Sequence, residues 1–176
     1  MHRAVKNFCL SMKETFPGFF FDKDVLDCGS IDINGNNRYL FDNCSYTGID
    51  IIPGKNVDHV SYTHDFKSAI FFDVIISTEM LEHDRFYKKS LQQMYQLLKP
   101  GGLLLITAAG TNRPMHGTSF HSPKDSPATL DYYKNLTASV FTDALYLEDF
   151  SFYNILYVGT DIFFAGKKRI KNENAN

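Results

Sequence analysis

Tryptophan is absent from this chain, and cysteine occurs only three times and proline six times in 176 residues. Cys9, Cys28 and Cys44 form an odd set without CxxC spacing, which fits neither a disulfide framework nor a cysteine zinc site and points to a reducing compartment. No run approaches 18 uninterrupted apolar residues, so nothing reads as a membrane span, and the first ten residues lack the apolar core of a signal peptide. No sign of charge dominates. Lys and Arg (18) nearly balance Asp and Glu (20), and a net charge near −2 gives no electrostatic footprint for nucleic acid or anionic lipid. The expectation is a cytoplasmic protein acting on a small or locally recognised partner. Two phosphate-binding signatures are also missing. Gly29 is followed by Ile31, Asp32 and Asn34 before Gly35, so there is no GxGxxG to seat the pyrophosphate of NAD or FAD, and no GxxxxGK[ST] occurs.

What is present is apolar and aromatic: 44% of the residues are hydrophobic, with 16 Phe and 10 Tyr, the composition of one globular domain over 1–176 with a Phe-rich interior. Segments 24–28, 46–51, 57–62, 72–77 and 102–108 are short, apolar and rich in β-branched or aromatic residues, as strands buried on both faces of a parallel sheet should be. Over 80–98 the residues Met80, Leu81, Leu91, Met94, Leu97 and Leu98 recur at helical spacing. That segment runs into Lys99-Pro100-Gly101-Gly102, a helix stop with a cation in the last turn. Strand–helix alternation of this kind predicts an α/β, doubly wound, mostly parallel sheet. Residues 1–23 are expected to be helical, and 110–135, without a clear period, to form a substrate or lid loop. Thr137 is placed to cap a short helix through Leu145. Segments 150–157 and 161–167, joined at Val158-Gly159-Thr160, read as an antiparallel hairpin that brings the sheet to seven strands. Residues 168–176 read as a polar tail, and the exposed hairpin edge would suit a homodimer as well as a monomer.

The chemistry concentrates at strand ends, because ligands of open α/β sheets bind beyond the carboxyl ends of the strands. Val25-Leu26-Asp27-Cys28-Gly29-Ser30 is a buried strand ending in an acid, a glycine that admits close approach, and a hydroxyl. Asp50, about 20 residues on and followed by Ile51, stands where a ribose diol is bound. The third strand delivers His64-Asp65-Phe66, whose carboxylate could accept from an adenine amino group. Each acid alone reads equally well as a loop or capping carboxylate; three at consecutive strand ends form a nucleoside pocket. Glu79, Glu82 and His83, at i, i+3 and i+4 of the expected helix, would share one side and could hold a divalent metal. No metal is assigned.

In order and content these motifs resemble the class I S-adenosylmethionine-dependent methyltransferases, type 11-like, over nearly the whole chain. The likeness is most specific in 72–83, from Phe72-Asp73-Val74 to Leu81-Glu82-His83, and in Leu97-Leu98-Lys99-Pro100-Gly101-Gly102. The first motif keeps Asp27 and Gly29 but has Ile31 where the family's second glycine stands. The resemblance implies a Rossmann-like fold and S-adenosyl-L-methionine as cofactor, leaving as S-adenosyl-L-homocysteine. It implies that Asp27, Gly29 and Ser30 meet the methionine part, Asp50 and Ile51 the ribose, and Asp65 and Phe66 the adenine, with Thr78 at the next strand end. Glu79, His83 and His116 would face the reacting end, the histidines as candidate bases for a hydroxyl acceptor. Ser77-Thr78-Glu79-Met80 lacks the (Asn/Asp)-Pro-Pro-aromatic turn of enzymes that methylate base or amide nitrogens, which disfavours N6-adenine and glutamine as acceptors; among sugar hydroxyls, small metabolites, proteins and nucleic acid ends, a hydroxyl of a small molecule or glycan is the favoured expectation. The Glu-x-x-Glu-His arrangement is also similar to that of metal-assisted O-methyltransferases of the ubiquinone pathway and the plant small-RNA 2′-O-methyltransferases. The rival expectation is a catalytically silent methyltransferase fold serving as a partner subunit.

Overall fold

A computed structural model describes residues 2–170; the end of the expected polar tail, 171–176, lies outside the described residues. The elements run α1 (Arg3–Thr15), β1 (Asp24–Cys28), β2 (Ser45–Asp50), β3 (His59–Val60), β4 (Phe72–Thr78), α2 (Tyr87–Leu97), β5 (Leu98–Ala109), α3 (Ala138–Ala144), β6 (Phe150–Val158) and β7 (Asp161–Lys168). One seven-stranded sheet has the order β3-β2-β1-β4-β5-β7-β6; the first five strands are parallel and β7 runs antiparallel between β5 and β6.

Strand periodicity sorts the core into two layers. Val25, Val74, Ile76, Leu103, Leu105, Phe163 and Ala165 face α1, Phe20 and Leu40. Leu26, Ile75, Leu104, Ile106, Ile162 and Phe164 face α2 and α3, where Leu91, Met94 and Phe141 complete the packing. Phe164 stacks on Phe141 with centroids 5.1 Å apart and meets Phe150 edge-on at 5.6 Å. Among the described residues no helix is long and apolar enough to cross a membrane.

Several sequence expectations need correction. The helix expected over 80–98 is broken: Glu79 adopts φ 56°, Leu81–His83 form one 3₁₀ turn, and α2 starts only at Tyr87. Asp84 makes the break stable, its Oδ1 accepting the Phe86 N–H at 2.7 Å and its Oδ2 the Ser90 hydroxyl. Leu98 already belongs to β5, pairing with Phe72, and Lys99-Pro100-Gly101-Gly102 is a bulge within that strand, with Gly101 at φ 80°. Lys99 is not a dipole cation; its Nζ lies 2.9 Å from Asp24 and 2.8 Å from Asp73, tying the amino ends of β1 and β4. The strand expected over 57–62 shrinks to His59–Val60. The crossovers flanking β2 and β3 carry only 3₁₀ turns, at Arg38–Leu40 and Thr63–Asp65. Thr137 precedes α3, but its hydroxyl pairs with Ser139 Oγ and caps no N–H.

Because Phe164 is fully buried between two rings, Phe164→Ala is expected to lower unfolding free energy by about 3–5 kcal/mol. Urea titration followed by circular dichroism measures it.

Candidate functional site

The order of the sheet reverses between β1 and β4, since the chain leaves β1 towards β2 and β3 and returns on the other side as β4. A crevice must open at the carboxyl ends of such a pair. It is there, as a cavity of about 640 Å³ whose wall includes Asp27, Gly29, Asp50, Thr78, Glu79 and His83.

On the β1 side, Gly29 turns the chain at φ 78°, and a Cβ there would stand 2.4 Å from Met80 Cγ, so only glycine lets the loop close on the β4 end. Asp27 is buried, accepting from Asn37 Nδ2 at 3.2 Å and from the Tyr46 hydroxyl. Burial pushes its carboxyl up to about 6 despite those bonds. Asn37 also donates to Thr78 Oγ1 at 3.1 Å, bridging the ends of β1 and β4. Ser30 lines the cavity, but its hydroxyl donates to the Asn56 carbonyl at 2.9 Å. At the end of β2, Asp50 accepts the N–H of Ile31 at 3.2 Å and of Ile51 at 2.8 Å, while burial raises its pKa. Ile51 lines the cavity beside it.

Two expected residues are not brought to the cavity. The turn Thr63–Asp65 points Tyr62 and Thr63 inward and swings Asp65 out, its side chain 70% exposed beside His64. Phe66 is buried in the core, its carbonyl accepting from Gln93 Nε2 of α2 at 2.7 Å. Asp65 and Phe66 are therefore replaced by Tyr62 and Thr63 as the wall next to Asp50.

At the other end of the cavity the supposed cluster of Glu79, Glu82 and His83 divides in two. Glu79 accepts from Thr107 Oγ1 at 2.9 Å and from His2 Nε2 at 3.3 Å. Burial raises its pKa, but the His2 hydrogen bond and charge, Thr107 and Arg113 outweigh that and hold the carboxyl below its ordinary range. Glu82 and His83 turn the opposite way, towards the 110–135 loop. The rings of His83, His116 and Tyr133 pack with centroids 5.0–5.5 Å apart, and Gly117 is needed there because a Cβ would lie 2.6 Å from His83 Cε1. Burial and the neighbouring His116 push His83 down to about 4, so it is neutral at pH 7.

Ligand atoms of Glu82, His83 and His116 lie within 4.8 Å of one another. Both carboxylate oxygens of Glu82 and Nδ1 of His83 are buried without a hydrogen-bond partner. Burial and the Glu79 charge drive the Glu82 carboxyl well up, and its own amide and that of Ala109 offset little of this. His116 Nδ1 donates to the Pro114 carbonyl at 3.1 Å, which leaves Nε2 with the lone pair. These three fit a divalent cation in donor type and in unmet bonding. A second trio, His2, Glu79 and Asp161, is equally close, but Arg113 Nη1 stands 2.6 Å from Asp161 and 3.5 Å from His2, so a guanidinium already supplies its positive charge. Asn37, His2 and Asp161 carried no signal in the sequence, because each acts through contacts far along the chain.

Residues 7–135 match the methyltransferase domain family. The chain belongs to that family. Comparison with curated proteins finds no match. Solved structures with the same fold include 1,6-didemethyltoxoflavin-N1-methyltransferase of Burkholderia thailandensis with S-adenosylhomocysteine bound, at 14% identity and TM-score 0.66 over 95% of this chain and 79% of that one. The N-methyltransferase NodS of Bradyrhizobium japonicum, also with S-adenosylhomocysteine, aligns at 13% identity and TM-score 0.62 over 93% and 86%. Phosphoethanolamine N-methyltransferase 2 of Haemonchus contortus, with S-adenosyl-L-methionine, aligns at 17% and 0.62 over 93% of this chain and 53% of that one. At these identities the likeness is one of fold.

In this methyltransferase Gly29→Ala is expected to lose at least about 1–2 kcal/mol of stability from the left-handed φ alone, and more from the Met80 contact. In a double-mutant cycle the loss should shrink, but not vanish, in a Met80→Ala background; equal losses would show that the contact does not matter.

Proposed function

We propose that this methyltransferase binds S-adenosyl-L-methionine in the cavity and transfers its methyl group to a hydroxyl of a small molecule or glycan, releasing S-adenosyl-L-homocysteine. The observation that carries the reading is the continuity of the cavity. Asp27, Gly29 and Asp50 stand on one side, the histidine-lined loop on the other, and Thr78, Glu79 and Met80 between them. Asp50 takes the ribose diol, its two backbone N–H contacts leaving lone pairs for hydroxyl donors. Asp27 and Gly29 take the methionine part, Ser30 contributes shape rather than a free hydroxyl proton, and Ile51, Tyr62 and Thr63 flank the adenosine. Glu79, His83 and His116 form the wall against which the acceptor is held. Methyl transfer needs an in-line approach to the sulfonium carbon, and positioning in a closed, partly dry site supplies much of the rate. A cavity lined by acids, hydroxyls and histidines as well as apolar side chains weighs against a silent partner subunit.

A second reading, favoured by the unpartnered Glu82 and His83 atoms, adds a divalent cation held by Glu82, His83 and His116. When bound it would lower the pKa of an acceptor hydroxyl. Glu82 would supply the charge, and the Pro114 carbonyl would hold His116 in the ligating tautomer.

Asp50→Ala is expected to weaken S-adenosylmethionine binding by about 1.5–3 kcal/mol in calorimetry; unchanged affinity in a folded variant refutes the ribose assignment. An ammonium group beside Asp27 requires the ionised carboxylate, so S-adenosylhomocysteine affinity should fall as pH drops below about 6. Asp27→Asn should flatten that dependence. For the metal reading, Mn²⁺ or Zn²⁺ titrated into the cofactor-free protein should bind, and Glu82→Gln should weaken binding at least about tenfold; equal affinity in that variant rules the site out.

A further inference from the structure

A hydroxyl acceptor must lose its proton as it is methylated, and neither histidine expected for that task is well placed. His83 is neutral down to about pH 4 and its Nδ1 is sealed from solvent without a partner. His116 has Nδ1 turned to Pro114 and belongs to the Glu82 cluster. A third imidazole enters the same cavity from the start of α1. His2 lines the wall with about a third of its side chain exposed (34%), and its Nε2 lies 3.3 Å from Glu79 Oε2 and 3.3 Å from Asp161 Oδ2.

Nε2 faces two carboxylate acceptors at 3.3 Å and one donor, Arg113 Nη1, at the longer distance of 3.5 Å; the two nearer acceptors assign the proton to Nε2 and leave the lone pair of the neutral ring on Nδ1. Both partners are fixed. Glu79 is pinned through Thr107, by the hydroxyl at 2.9 Å and by its own N–H to the Thr107 carbonyl at 2.9 Å. Asp161, at the start of β7, is held by Arg113 Nη1 at 2.6 Å. The charged groups facing the ring are thus Glu79 from the end of β4, Asp161 from β7 and Arg113 from the loop after β5: two negative and one positive. An imidazole oriented by a carboxylate, with its other nitrogen left to accept, is the arrangement of a general base.

Resting on the methyltransferase reading above, we propose that His2 is the general base, and that Glu79 and Asp161 are its positioning residues. As the acceptor oxygen forms its bond to the methyl carbon, the S–CH₃ pair stays on sulfur and the hydroxyl proton passes to His2 Nδ1. The products are the methyl ether, S-adenosylhomocysteine and an imidazolium that returns its proton to water.

Nitrogen-15 NMR of the imidazoles, in protein saturated with S-adenosylhomocysteine and with His2→Gln for assignment, tests this. His2 makes no side-chain cap to α1, so that variant keeps its helix. The expected result is His2 in the Nε2–H form. With catechol as the probe acceptor, His2→Gln should cut transfer about 10²-fold or more relative to the unaltered protein. It should leave S-adenosylhomocysteine affinity unchanged. An Nδ1–H tautomer, or transfer undiminished in His2→Gln, overturns the assignment of the base while cofactor binding stands. Failure of the unaltered protein to bind S-adenosylhomocysteine overturns the cofactor reading and the base with it.

Discussion

The site depends on the parallel pairing of β1 with β4, in which Val25, Leu26 and Asp27 lie opposite Val74, Ile75 and Ile76. This seam is where the sheet reverses its order, so no connection crosses its carboxyl end and a cavity is left open. Its two ends are tied by polar contacts that a slipped register would break. At the amino end Lys99 joins Asp24 and Asp73, and the Asp24 N–H donates to Asp73 at 3.0 Å. At the carboxyl end Asn37 joins Asp27 to Thr78. Between them the side chains alternate into the two apolar layers, and a shift by one residue would exchange the layers.

That geometry brings more carboxylates to one sheet edge than can all be charged. Glu79 and Glu82 are electrostatically linked, and their environments push them apart: Glu79 is held low by His2, Thr107 and Arg113, while Glu82 is driven up by burial and by the Glu79 charge. The left-handed backbone at Glu79 is what separates them. On a continuous helix both side chains would lie on one side and compete for the same cation; the break at φ 56° sends one towards α1 and β7 and the other towards the 110–135 loop.

Much of the sheet was legible because buried strands announce themselves by composition. Strands β1, β2, β4, β5 and the hairpin fall within a few residues of where the apolar segments stand. The helix over 80–98 was misread because Met80 and Leu81 are apolar for another reason: Met80 closes against Gly29, and Leu81 is buried under the turn. That Asp27 and Asp50 stand on the cavity wall was readable from strand-end position alone. Asp65 was not, because its direction is decided by a 3₁₀ turn and not by strand alternation. Asn37, His2 and Asp161 make their contacts with partners between 10 and 159 residues away, and no local pattern carries that information.

Ile31, the residue that departs from the family's glycine turn, fits the same logic. A glycine-rich turn works by letting bare N–H groups and backbone approach a ligand. Here the chain bends without the second glycine, because side chains hold the loop from outside. Asp32 accepts the Gly35 N–H at 2.9 Å and the Asn36 amide at 2.8 Å and pairs with Lys55 at 2.9 Å, while Asn56 Nδ2 donates to the Ser30 carbonyl at 2.8 Å. Ile31 itself donates its N–H to Asp50 and lays its side chain on Gly54, where even a Cβ would stand 2.6 Å from it. Gly54, across the loop, gives the Ile31 side chain the room it needs, and a polar network stands in place of a flexible turn. Such a loop is ordered before any ligand arrives, so less conformational entropy remains to be lost on binding.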